Sequence, residues 1–101
     1  MGLFSIFSNK SAKIKEYKAK GAVIVDVRSS GEFAGGYVAG AVNIPLNQLT
    51  QRMDEISKLN KPVVFCCASG VRSAKATAVA KNAGIDGING GGWRSVDNAW
   101  M

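Results

Sequence analysis

Two adjacent cysteines, Cys66 and Cys67, end an apolar run in "VVFCCASGVRSAKATAVAK", and Arg72 follows five positions after the second. Between Cys67 and Arg72 stand only Ala68, Ser69, Gly70 and Val71. Gly70 is free to take positive φ. A short loop of this kind can turn its amide N–H groups inward as an anion nest, and the helix that follows points its positive end at the same place. A thiol held there ionises easily, with pKa values of ~3.5–7.5 in such surroundings. The chemistry this supports is nucleophilic attack by a thiolate. Arg72 is the loop's fixed cation, suited to fork onto an anionic substrate or onto a carboxylate that braces the loop. Ser69 reads equally well as a second donor to a bound anion or as a turn residue. Cys66 belongs to the strand and reads as a small buried hydrophobe. That reading suits Cys67 badly, because a loop of small residues closed by an arginine has no packing purpose.

Several elements must position this loop. Residues 11–20 read as a short amphipathic helix, with Ile14 and Tyr17 on one face, Ser11 as N-cap and Gly21 as the stop. "AVIVDV", residues 22–27, is a β-branched run of the kind buried on both faces of a parallel sheet. A helical turn is expected around residues 31–34 and a brief strand over 41–44, ended by Pro45. Apolar residues at 46, 49, 53, 56 and 59 predict a helix over 46–59. "KPVVFCC" is a second buried strand, residues 73–83 a helix stopped by Gly84, 85–89 a weak strand and 93–100 a terminal helix. Strand and helix alternate, which argues for an α/β fold: a mostly parallel sheet with helices on both faces. Ligands bind beyond the carboxyl ends of such strands, where Cys67 falls.

The 101 residues suggest one domain, 1–101, with residues 1–10 as an N-terminal arm or edge strand packed through Phe4, Ile6 and Phe7. No apolar run approaches the ~20 residues of a membrane span. "MGLFSIFSNK" lacks the basic region and cleavage site of a signal peptide, and Ile6 stands where a myristoylation motif wants Ser or Thr. A cytoplasmic location and no membrane partner are expected. Net charge is +6, from 13 Lys and Arg against 7 Asp and Glu. Five lysines lie within residues 10–20. They read as a solvated helix face and not as a nucleic-acid site, since no aromatic interleaving accompanies them. With two cysteines and no histidine there is no ordinary Cys/His zinc site. Adjacent Cα atoms ~3.8 Å apart are too close for a disulfide, so both cysteines are read as thiols, consistent with a reducing compartment. No metal and no cofactor is expected.

"VVFCCASGVRSAKA" resembles the active-site segment of the single-domain rhodanese family. "VIVDVRSSGEFAGGYVAGAVNIPL" resembles that family's upstream signature, and "GGGWRSVDNAW" its late Gly-Gly-Trp segment. The resemblance runs from about residue 22 to residue 100, with three motifs in order. It implies a five-stranded parallel sheet flanked by helices. It also implies a sulfurtransferase that moves sulfane sulfur through a cysteine persulfide. The donor would be a small anion such as thiosulfate, and the acceptor cyanide or a thiol, a protein thiol included. Carried over, Cys67 would be the nucleophile, and Ala68, Ser69, Gly70, Val71 and Arg72 would cradle the persulfide and the donor. Asp26 and Arg28 match the family's DVR element and, two apart on a strand, would brace the loop region. Gly91, Gly92 and Trp93 would be structural. The chain departs from the family at Tyr37, where His is frequent, and at Ala68, where many members carry a basic residue. A persulfide carrier that docks to a partner, with the lysine-rich helix and the N-terminal arm as docking surfaces, is an alternative. So is a Cys-dependent phosphatase or arsenate reductase, although the loop has four residues between Cys and Arg where the related dual-specificity phosphatases have five.

Overall fold

The computed structural model describes residues 2–101, with side chains from Lys10 onward. Four strands, β1 (Val23–Asp26), β2 (Val42–Asn43), β3 (Val63–Cys67) and β4 (Gly87–Gly92), form one parallel sheet in the order β2-β1-β3-β4. Five helices accompany them: α1 (Gly2–Ala19), α2 (Ser30–Ala34), α3 (Met53–Ser57), α4 (Val71–Asn82) and α5 (Trp93–Trp100).

The resemblance implied five strands; four form among the described residues. Residues 2–10, expected as an arm or edge strand, extend α1 upstream, so Ser11 lies inside the helix and is not its N-cap. Ile6 is the one β-branched residue in that stretch, too little to favour an extended edge. The packing of Phe4, Ile6 and Phe7 lies outside the described residues. Gly21, at φ +83°, ends α1 as expected. Among the described residues no helix is long and apolar enough to cross a membrane.

The pleat of β1 and β3 divides the core. Val25, Val63, Phe65 and Cys67 face α3 and α4 together with Val27, Ile56, Ala76 and Ala80. Ile24, Val64 and Cys66 face α1 and α5 together with Ile14, Tyr17 and Val96. Successive strand side chains point to opposite faces, so the two neighbouring cysteines enter different cores. On the second face, Tyr17 donates its hydroxyl to Asp86 at 2.5 Å, and Lys18 reaches the Trp100 carbonyl oxygen, fixing α1 across the sheet. Lys13 and Lys20 pair with exposed Glu16, so this part of the lysine face is solvated.

The helix expected over residues 46–59 is divided into a 3-10 turn, Leu46–Gln48, and the short α3. Leu49 and Ile56 are buried as their spacing requires, but i→i+3 bonds such as Leu49 N–H to Leu46 O carry the chain between them. Periodicity fixes the buried face and not the tightness of each turn.

β4, "GINGGG", has little intrinsic strand propensity. Its glycines are places of close approach. A Cβ on Gly90 would meet Val64 Cγ1 and Val96 Cγ2, both at 2.7 Å, and one on Gly92 would meet the Ala68 carbonyl oxygen at 2.9 Å. The β3–β4 register slips between Phe65 and Cys66: Asn89 pairs with Phe65, and Gly91 with Cys66. Gly90 is therefore the extra residue of a bulge.

Candidate active site

β3 ends at Cys67, and Ala68, Ser69 and Gly70 form the loop into α4. Gly70, at φ +107°, turns the chain so that its own N–H points back at the Cys67 sulfur at 2.9 Å. A Cβ there would also press on Gly91 Cα at 3.4 Å, so glycine serves both the turn and the approach to β4. The Ser73 N–H, in the first turn of α4, reaches the same sulfur at 3.4 Å, and the Ser73 hydroxyl oxygen lies 3.3 Å from it. Ala68, Ser69 and Val71 are exposed, while Cys67 itself is 1% exposed. A hollow of about 350 Å³ adjoins the loop, lined by Val27, Ser29, Pro45, Leu46, Asn47 and Arg72.

The two thiols behave oppositely. Burial pushes the Cys67 thiol up, but the Ser73 hydroxyl and the N–H groups of Ser73, Gly70 and Ser69 outweigh it. Together they bring the thiol from 9.0 down to about 7. At Cys66, burial and then the Asp26 carboxylate raise the thiol well above its ordinary range, and no amide cluster offsets them. Both cysteines are free. Cys67 is thus a thiol that ionises near neutrality, and Cys66 is a core residue.

Arg72 forks onto Glu32, with nitrogen–oxygen distances of 2.7 and 3.0 Å. Of the two partners the sequence left open, a carboxylate occupies the guanidinium here. Arg72 and then the Ser29 N–H hold the Glu32 carboxyl at about 2. Glu32 is placed by a capping box: the Glu32 N–H donates to Ser29 Oγ at 3.2 Å, and the Ser29 N–H to Glu32 Oε1 at 3.1 Å.

Asp26 and Arg28 are both buried and locked together: Arg28 Nη2 donates to Asp26 Oδ2 at 2.7 Å, and Nε to Oδ1 at 2.9 Å. Arg28 also reaches the carbonyl oxygens of Gly36 at 2.7 Å and Glu32 at 3.3 Å, and its guanidinium lies 4.9 Å from the centre of the Trp93 ring. The pair therefore holds the α2 turn, and that turn presents Glu32 to Arg72. Its link to the loop runs through one intermediate residue. Gly91 and Gly92 sit beneath the loop, and Trp93 stacks on Arg28.

Three residues of the site were not singled out from the sequence. Glu32 was detectable, since Ser29 and Glu32 spell the S-x-x-E capping pattern. Ser73 falls one helical turn into α4, where its N–H is one of the unpaired donors of a helix start. Asn89, on β4, accepts from the Ser73 hydroxyl at 2.6 Å and the Gly91 N–H at 2.9 Å, and donates to the Gly70 carbonyl at 3.1 Å. An amide among glycines carried no sequence signal for this role.

The chain is similar to known proteins in both sequence and fold. The rhodanese-like domain model matches residues 11–99. The uncharacterised protein YqhL of Bacillus subtilis is 41% identical over 81 residues, covering 78% of this chain and 64% of YqhL; the chain spans less than two thirds of that relative. Human thiosulfate:glutathione sulfurtransferase is 33% identical over 79 residues, covering 65% of this chain and 69% of the human protein. The crystal structure of a rhodanese-like domain protein from Staphylococcus aureus superposes with a TM-score of 0.67 at 36% identity, covering 79% of this chain and 74% of that one. On the extent of the family match, the chain belongs to the rhodanese-like domain family.

Proposed function

We propose that this chain is a sulfurtransferase in which Cys67 carries the sulfur in transit. The observation that carries the reading is the convergence of the Gly70 and Ser73 N–H groups, with the Ser73 hydroxyl, on a thiol that ionises near pH 7. The Cys67 thiolate attacks the outer sulfur of a small anionic donor such as thiosulfate, which approaches through the hollow beside Arg72. A new sulfur–sulfur bond forms at Cys67, the donor's own sulfur–sulfur bond breaks, and sulfite leaves with the electron pair. The loop amides then face the anionic persulfide. An acceptor, cyanide or a thiolate on a small molecule or protein, attacks the outer sulfur, and Cys67 departs as thiolate. No general base is needed because about half of the thiol is already ionised at neutral pH. Arg72, held by Glu32, keeps the loop closed around this cycle. Two free thiols suit a reducing compartment such as the cytoplasm.

Intact-mass measurement after incubation with thiosulfate tests this directly. One added sulfur atom is expected on the parent, mapped to Cys67 and removed by cyanide. Cys67→Ser should take up none and should lose thiosulfate:cyanide turnover. Turnover retained by that variant would overturn the proposal.

A further inference from the structure

The Ser73 hydroxyl has one proton and two neighbours that can take it. Asn89 Oδ1 lies 2.6 Å from Ser73 Oγ, and Cys67 Sγ lies 3.3 Å from it on the other side. The orientation of the Asn89 amide is fixed, because Oδ1 accepts the Gly91 N–H at 2.9 Å and Nδ2 donates to the Gly70 carbonyl at 3.1 Å. Oδ1 is an acceptor only, so at 2.6 Å the hydroxyl must be donating to it. The contact between Sγ and Oγ is then satisfied only if the thiol donates. A thiolate has no proton to give, and two lone pairs would face each other across 3.3 Å. The hydroxyl must therefore rotate towards sulfur when Cys67 is ionised.

We propose that Asn89 is a positioning residue for the Ser73 hydroxyl, holding its proton while Cys67 sulfur is uncharged and yielding it to that sulfur when charge returns. In the sulfur-transfer cycle, which this inference takes from the function proposed above, the inner sulfur of the persulfide is uncharged, and the hydroxyl rests on Asn89. As the acceptor takes the outer sulfur, the bonding pair stays on Cys67, and Ser73 turns to meet it. No proton leaves Ser73; only the direction of its O–H bond changes. The bulge at Gly90 sets Asn89 opposite Phe65, on the face that holds Cys67 and α4.

Other charged or titratable groups surround Cys67 without occupying this path. Asp26 and Arg28 neutralise each other at the end of β1, Glu32 and Arg72 do so between α2 and α4, Cys66 faces the opposite core, and the Lys10 ammonium of α1 lies over Gly91.

The test is the pH dependence of Cys67 alkylation by iodoacetamide, located by peptide mass, in the folded full chain. Asn89→Leu removes the competing acceptor, so the hydroxyl stays on sulfur, and the thiol acidity constant should rise about threefold, the scale of one net hydrogen bond. A loop merely loosened by the lost Asn89 bonds would move the constant the other way. Asn89→Asp holds the proton more firmly and adds negative charge, so the constant should fall about tenfold. Placed on Ser73→Ala, the Asn89→Leu change should have no effect, and Ser73→Thr, which keeps a hydroxyl, should restore it. Should Asn89→Leu not fold, Asn89→Ala makes the same test. A constant that is unchanged or lowered by removing the acceptor, or a rise that persists without a hydroxyl at position 73, overturns the inference. The readout is ionisation alone, so failure to acquire sulfur in the mass experiment would refute the proposed function and leave this result standing.

Discussion

Alanine at position 92 should disable the loop while leaving most of the fold intact. Gly92 has φ −68° and ψ 143°, a conformation open to any residue, so the effect of a methyl group there is purely steric. Its Cβ would lie 2.9 Å from the Ala68 carbonyl oxygen, about half an ångström inside ordinary contact. Gly92 is held in register with Cys67 by β3, so the less constrained loop must give way. A shift of that size lengthens the Gly70 N–H contact to sulfur from 2.9 Å towards the 3.4 Å of the weaker Ser73 contact. By that scale of misplacement, sulfur-transfer rate should fall about tenfold, with the Cys67 thiol rising back towards 9.0. The control is Gly90→Ala, whose Cβ would strike Val64 and Val96 at 2.7 Å on the opposite core. Overpacking there should cost about 1–3 kcal/mol of stability, with the thiol unmoved. Thiosulfate:cyanide turnover, iodoacetamide titration and urea unfolding on both variants separate the effects. Parent-like turnover and thiol ionisation in a folded Gly92→Ala protein would refute the claim that close packing of the loop on β4 sets the sulfur's environment.

Three further outcomes follow from the same geometry. With the Cys67 thiol at about 7, roughly half is ionised at neutral pH against about 1% of an ordinary thiol. After allowance for the lower nucleophilicity of a weaker base, its alkylation at pH 7 should be about sixfold faster, while Cys66 stays inert. Because the folded value lies below the unfolded one, Cys67 adds stability that is fully present above pH 9 and lost as pH falls through about 7. The raised Cys66 does the reverse, its contribution fading as pH climbs above the ordinary thiol range. Urea midpoints should therefore rise between pH 7 and 9 and level or fall beyond, and a Cys67→Ala protein that kept the rise would contradict this. Separately, Asp26→Ala strands the Arg28 guanidinium, 4% exposed, without its carboxylate. Breaking a buried pair this way should cost about 3–5 kcal/mol in urea unfolding, and a cost below about 1 kcal/mol would mean that the pair is not holding the α2 turn.

Local signals determined a good deal of this protein. The β-branched run before Asp26 and the apolar run before Cys66 forced two buried strands, and their alternation with helices forced a parallel sheet. A small-residue loop with Gly70 at its turn, set between a strand and a helix, was enough to locate the Cys67 sulfur, because amide convergence there is a property of seven consecutive residues. Tertiary structure decided what depends on residues far apart in the chain. Arg72 meets Glu32 across 40 positions, and Ser73 meets Asn89 across 16. Neither pairing has a periodicity or a spacing to reveal it. The start of α1 was misread as extended for a related reason: residues 2–10 contain no strong stop or start signal. The difference between Cys66 and Cys67 combined both sources. Strand alternation sends adjacent side chains to opposite faces, but only the packing of α4 against one face and α1 with α5 against the other set one buried sulfur beside the amides at the start of α4 and left its neighbour without them.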